Sequence, residues 1–450
     1  MLDLVISSKN KNDSRNGNVN DYDPYKHRKP EHPTTNFETF AHFVKGCVGT
    51  GLLAMPQAFS NAGYIVGIIG TIAVGVIAIF CMHILIGCMY ILAKREKVPF
   101  LTYPNAMRIA FKTGPPFLRF LAPSAGYIVN WLLSIYHSGI CCIYVVFIAS
   151  TIKQLIDYYL IDFDIRIHMA IIILPLVLIY NIRDLKNLAP FSTVANILMC
   201  IGLSVILYYI FRDIPPISER DMFVDISKFP LFFGTTLFAL ESVGVIIALE
   251  QNMETPKDFL GYFGVMNRGA VVVLTLYGVF GFFGYWRYGD DALGSITLNI
   301  PKNDVLAQVV KAMFALAMYF TYPLQGYVPI DIIWYQYLSK KLQDHPRKKL
   351  IEFSIRLGIV MCTFLAAVAI PNIGLFLALI GAFCLTLLGI AFPALIEVCT
   401  RFQDRDYGRF NYILYKCAAL ILFAVVGLFI GTYTAIHDIV IFYSNPIGET

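Results

Sequence analysis

Charge is what this sequence has least of. Asp, Glu, Lys and Arg make up 14% of its 450 residues, against 57% hydrophobic residues. A water-soluble domain of this length needs more charge to cover its surface, so that class is excluded. The net charge is only +5 and is spread over the polar segments, which gives no reason to invoke nucleic acid. No cysteine lies outside the apolar runs: all ten, at 47, 81, 88, 141, 142, 200, 362, 384, 399 and 417, fall inside them or at their ends. That excludes an exposed disulfide framework, and no zinc-ligand spacing is present either. Cys141 and Cys142 read as small buried apolar residues rather than a metal or redox pair. No apolar stretch follows Met1, so a cleavable signal peptide is not expected and the first membrane segment acts as its own insertion signal.

What is abundant is uninterrupted apolar sequence. Residues 1–38 are polar and without periodicity, and are expected to form a disordered cytosolic tail. Eleven apolar segments follow, at 40–60, 64–93, 124–151, 168–183, 190–211, 229–250, 263–287, 304–335, 353–370, 373–396 and 411–440. Each approaches or exceeds the roughly 20 residues that span a bilayer. The fold class is therefore an all-α polytopic membrane protein. With the N-terminus cytosolic, 18 Lys and Arg fall in the inner loops and 7 in the outer ones. That asymmetry supports the alternation of about eleven helices.

Two segments carry poor chemistry for a continuous helix. The first reads Lys45-Gly46-Cys47-Val48-Gly49-Thr50-Gly51 and reaches Pro56; the sixth contains Glu241-Ser242-Val243-Gly244. Gly51 and Gly244 lie 193 residues apart. Corresponding breaks in two halves of a chain point to a transporter binding site at mid-membrane. Unwinding frees backbone N–H and C=O groups, which lipid cannot satisfy but a cavity or ligand can. Half-helix N-termini suit a carboxylate, and unwound carbonyls suit an ammonium group. A zwitterionic amino acid needs both. Gly49, Thr50, Gly51, Glu241, Ser242, Val243 and Gly244 are the candidate substrate-binding residues. The alternative is close helix packing through small residues, which fits Gly46 best.

Lys45 and Glu241 lie inside apolar segments close to the two breaks. Lys45 is near enough to the inner surface to snorkel, whereas Glu241 is near mid-membrane and needs a partner or a function. His137 reads as an ordinary core histidine. Glu250 and Asp331 fall at inner helix ends and are given no role.

Gly49-Thr50-Gly51-Leu52-Leu53-Ala54-Met55-Pro56, with Ala58-Phe59 and Asn61-Ala62-Gly63, resembles the first-helix signature of the amino acid/auxin permease superfamily. Cys141 through Ala149 resembles insect members of its proton-coupled amino acid transporter branch. Phe233-Gly234-Thr235, Glu250 through Met253, Tyr322-Pro323-Leu324-Gln325 and Phe392-Pro393-Ala394-Leu395-Ile396 also match. The resemblance spans about residues 37–440. It implies a LeuT-like fold of five-plus-five inverted repeats, at about 39–211 and 228–396, with an extra helix at about 411–440. It implies small neutral amino acids as substrates, no sodium requirement and no bound cofactor, with the proton as the candidate coupling ion. The branch usually has His-Cys-Met in the second helix, where this chain has Phe80-Cys81-Met82. His83, about one turn on and on a similar helix face, is the candidate to take the proton's place, with Lys45 and Glu241. The alternative is a packed histidine and transport without proton coupling. A serine at 242 replaces the branch's glycine and bears on substrate choice.

Neither an acid/base pair nor a metal cluster stands out, so an enzyme is not expected. A channel lacks a filter-like sequence. An amino acid sensor on a transporter fold is the remaining alternative. The plasma membrane is the expected location, with the endolysosomal membrane as the alternative, and the sequence names no protein partner.

Overall fold

Capping chemistry sets where many of the helices begin. Thr35 and Glu38 form a reciprocal capping box, so the first long helix starts at Asn36. Asp164, Asp304 and Asn372 each cap a helix start by accepting from a backbone N–H in the first turn. The computed structural model describes residues 22–28, 30, 33–157, 163–182, 185–240, 243–339 and 341–444. Glu241 and Ser242, two of the candidate site residues, lie outside them.

The described chain is helical, with an isolated bridge between Thr34 and Met253. In order, the helices are α1 (Pro24–His27), α2 (Asn36–Cys47), α3 (Thr50–Ser60), α4 (Tyr64–Glu96), α5 (Tyr103–Thr113), α6 (Pro116–Arg119), α7 (Ala122–Ile156), α8 (Ile165–Tyr180) and α9 (Leu185–Phe211). They continue with α10 (Phe229–Leu240), α11 (Val243–Asn252), α12 (Val265–Tyr288), α13 (Val305–Ile330), α14 (Lys348–Ala369), α15 (Ile373–Ile380), α16 (Phe392–Phe402) and α17 (Tyr412–Ser444). A π-helical stretch, Asp331–Leu338, extends α13, and another, Gly381–Ala391, joins α15 to α16. Among the described residues, nine helices are long and apolar enough to cross a membrane. The fourth apolar segment appears as the shorter α8, and the first as the pair α2 and α3, each too short to span alone.

The all-helical expectation holds. Of the segment expected to be a disordered tail, residues 1–21, 29, 31 and 32 lie outside the described residues. Residues 22–28 and 33–38 are placed by polar groups that find partners on other parts of the chain. Arg28 pairs with Glu250 at 2.8 Å, with both side chains almost fully buried. Its Nε also donates to the Pro99 carbonyl at 2.9 Å. Tyr25 lies under the Arg28 guanidinium, and burial together with the nearby Glu250 charge pushes its phenol well above the ordinary range. Thr34 exchanges backbone hydrogen bonds with Asn252 and Glu254, each at 2.9 Å. The segment thus straps the end of α11, and Glu250 has a partner that sequence patterning alone did not supply.

α3 is almost wholly buried, and two contacts seat it. The Phe59 ring occupies the space where a side chain at Gly67 or Gly281 would stand, and Pro56 does the same at Gly284. α3 is thereby wedged between α4 and α12. α2 is seated more loosely and leaves Ala41, His42, Lys45 and Gly46 exposed. α17 runs along the periphery with most of its apolar surface turned outward.

Buried charge is handled in pairs or by carbonyls, as a low-dielectric interior demands. Arg356, 2% exposed, holds Glu352 at 3.1 Å and the Tyr180 carbonyl at 3.0 Å. Lys311 donates to the Ile300 carbonyl at 3.0 Å. Lys416 pairs with Glu397 at 2.7 Å and fixes α17 to α16.

Candidate functional site

The first helix breaks at Val48 and Gly49. The hydrogen-bond ladder of α2 ends with Val48 N–H on the Val44 carbonyl, at 3.1 Å. It resumes with Leu52 N–H on the Gly49 carbonyl, also at 3.1 Å. Val48 and Gly49 are extended, and no side chain caps the N-terminus of α3. Thr50 and Gly51 are not unwound; they form the first turn of α3, with their amides at its positive end. In the sixth segment the described residues are helical through Leu240 in α10 and from Val243 in α11, and Glu241 and Ser242 between them lie outside the described residues.

The two segments cross beside the break in the first. A Cβ built on Gly51 would stand 2.6 Å from the Ala239 Cα in the last turn of α10. A Cβ on Gly46 would stand 2.7 Å from a Val245 methyl on α11. Gly51 is glycine because a backbone passes there; Gly49 and Gly244 have nothing within 4 Å and meet no such demand.

Beside the crossing lies a cavity of about 1240 Å³, including its open mouth. Val48, Gly49, Thr50 and Gly51 form one wall, and Phe238, Ala239, Val245 and Leu249 of α10 and α11 form the next. α7 contributes Tyr136, Ile140 and Tyr144, α13 contributes Thr321 and Gln325, and α9 contributes Ser192 and Asn196. His42 and Lys45 of α2 stand at the mouth, both exposed. Tyr277 of α12 donates to the Cys47 carbonyl at 2.5 Å, satisfying one group freed by the break. Phe238 stacks edge-on against Tyr136 at 6.2 Å, and the backbones of α10 and α15 meet at Gly234 and Ala378.

Of the sequence-derived candidates, Gly49, Thr50, Gly51 and Lys45 line this cavity. Val243 is buried and Gly244 is exposed; neither is among the lining residues. His83 does not line it: half-buried, its Nδ1 lies 3.1 Å from the Ile79 carbonyl of its own helix. Phe80 faces outward, with the Lys416 ammonium 5.2 Å from its ring centre. Sequence reading gave no role to Tyr144, Tyr277, Asn196 or Gln325. Tyr144 and Gln325 sat in recognised runs, but polar side chains in an apolar helix announce only that they need partners, not where they point. Among the described residues no cluster of three His, Cys, Asp or Glu could hold a metal ion.

The family model described as transmembrane amino acid transporter protein matches residues 32–437. The proton-coupled amino acid transporter-like protein pathetic of Drosophila melanogaster is 40% identical over 433 residues, covering 96% of this chain and 91% of the relative. A probable amino acid transporter of Caenorhabditis elegans, skat-1, is 24% identical over 412 residues, 89% of each chain. Among solved structures, the nucleobase-cation-symport transporter Mhp1 aligns over 96% of this chain and 97% of its own, with a TM-score of 0.49 and 13% identity.

Proposed function

Since this chain belongs to the transmembrane amino acid transporter family, we propose that it carries small neutral amino acids through the cavity beside the crossing of the first and sixth segments, by alternating access. The observation that carries the reading is the uncapped N-terminus of α3. It opens directly onto a cavity walled by tyrosines and a glutamine. The amides of Thr50 and Gly51 suit the substrate carboxylate, and the carbonyls at the end of α2 suit the amine. On this reading the cavity opens towards the side of the N-terminal strap, expected to be cytosolic, and Phe238 against Tyr136 closes the other side. No sodium is required on this reading, and the solute would be released past His42 and Lys45.

Uptake of glycine, alanine, serine, proline and leucine into cells lacking their own carriers tests it. Saturable uptake of at least one, unaffected by removing sodium, is the expected result. Absence of uptake of all five sinks the proposal.

Coupling is a separate question, and two observations bear on it. His83 and Phe80 stand away from the cavity, whereas His42 lines it. If a proton accompanies the solute, uptake rises as the outside is acidified from about pH 7.5 to about pH 5.5. In that case His42→Gln flattens the profile and His83→Gln does not. A flat wild-type profile assigns facilitated transport instead.

A further inference from the structure

Four cations at one turn stand without a partner among the described residues. Lys341, Arg347, Lys348 and Lys349 lie between the π-helical extension of α13 and the first turn of α14, three of them exposed and Lys348 half-buried. No described carboxylate pairs with any of the four, and none of their side chains donates a hydrogen bond. Asp344 is the one carboxylate between Ser339 and Ile351. Several other cations at this end are engaged: Arg28 with Glu250 at 2.8 Å, Arg95 with Asp404 at 2.6 Å and Arg401 with Asp406 at 3.3 Å. The four do not serve the folding of α14 either. Cations in a helix's first turn oppose its dipole, and no acidic residue there offsets them.

Two placements say what these cations face. The turn lies on the side of the N-terminal strap. The Tyr337 hydroxyl accepts from the Asn130 amide near the start of α7 at 2.8 Å. A Cβ on Gly126 of α7 would stand 3.2 Å from the Pro104 carbonyl of α5, and the Pro99 carbonyl just before α5 accepts from Arg28 of the strap. That side is expected to be cytosolic. The second placement is apolar. Leu350 and Phe353 follow the cations on α14 and are 57% and 41% exposed, and the same helix face continues through exposed Met361 and Leu365. A face of this kind on a multi-pass protein meets acyl chains. The cations therefore stand where acyl chains give way to headgroups.

We propose that this turn is a docking surface for acidic phospholipids of the inner leaflet, with Lys341, Arg347, Lys348 and Lys349 on the headgroup charges and Leu350 and Phe353 against the acyl chains. The inner leaflet carries the negative surface potential of a membrane, and each Lys or Arg held near it favours contact by about fivefold. The inference does not depend on which solute the cavity carries.

Titration of the purified full-length protein in neutral detergent tests it, with short-chain phosphatidylserine, short-chain phosphatidylcholine and inorganic phosphate as separate probes. The wild type is expected to bind the serine lipid at least about tenfold more tightly than the choline lipid at about 0.1 M salt, and to lose most of that preference at about 0.5 M salt. Replacing all four cations by glutamine brings the two lipids to within about twofold of each other. Lys341→Arg, Lys348→Arg and Lys349→Arg together keep the preference, because a surface field reads charge rather than side-chain shape. The four glutamines also remove charges that orient the chain in the membrane, so that variant can fail to fold. Lys341→Gln with Lys349→Gln, both at exposed positions, then localises the effect and is expected to cut the preference at least about threefold. Equal binding of the two lipids by the wild type overturns the proposal. A preference that survives the glutamine variants overturns it too, since it then belongs to other cations. Millimolar inorganic phosphate at constant ionic strength is expected to leave the preference intact. If it abolishes the preference, the turn takes free phosphate and the lipid assignment fails.

Discussion

Gly51→Ala is expected to reduce uptake to background, while Gly49→Ala and Gly244→Ala yield folded protein at normal surface levels. All three are single methyl additions to glycines that sequence reading treats alike. The structure separates them. At Gly51 the new methyl would stand 2.6 Å from the Ala239 Cα and 3.0 Å from its Cβ. Neither atom can rotate away, so α3 and α10 must part. Overpacking of this kind costs about 1–3 kcal/mol. The displacement also falls on the half-helix end that faces the solute, so the functional loss exceeds the loss of stability. α3 cannot retreat, since Phe59 and Pro56 hold its far side against α4 and α12. At Gly49 and Gly244 the same methyl meets open space, and neither has a positive φ. Surface biotinylation with uptake rates distinguishes the cases. Wild-type transport by Gly51→Ala would show that α3 and α10 need not touch.

Arg28→Ala and Glu250→Gln are each expected to destabilise the protein by about 3–5 kcal/mol, the usual result of stranding one member of a buried ion pair. The Arg28 and Glu250 side chains are 7% and 6% exposed, so the loss should be nearly the same at low and high salt. Arg28→Met combined with Glu250→Met recovers most of it, because removing both charges leaves neither unpaired. Thermal unfolding in detergent at two salt concentrations measures this. A small, salt-sensitive shift would place Arg28 at the surface and release the strap from α11. Arg28 also donates to the Glu250 backbone carbonyl at 3.2 Å, so part of the effect belongs to the frayed end of α11 itself.

How much of this was readable beforehand varies by residue. The break in the first segment was legible because glycine and proline punctuate helices by their own backbone properties, independent of neighbours. Its position was legible only to within two residues. Thr50 and Gly51 turned out to start the helix rather than interrupt it, since the ladder closes from Gly49 onwards. The strap was not legible. Its composition is that of a disordered tail, and its order depends on Glu250 and Pro99, more than 70 positions or more than 200 positions away along the chain. Gln325 and Tyr144 were hidden for a related reason. Helical periodicity tells which residues share a face, but not which of several apolar helices that face meets. Buried Arg356 is a further case: it lies in an apolar segment and is made tolerable by Glu352 one turn away and by a carbonyl on another helix.

The wedge of Phe59 between Gly67 and Gly281 has a mechanical consequence. It makes α3, α4 and α12 one stiff body, with no slack for the outer half of the first helix to tilt alone. The inner half, α2, ends in two extended residues and leaves much of one side bare. An unequal pair of this kind behaves as a swinging arm on a fixed bracket. On the proposed route the end beside α2 can therefore move through rotations at Val48 and Gly49, whereas opening the opposite end requires the whole bracket to roll past α7 and α13.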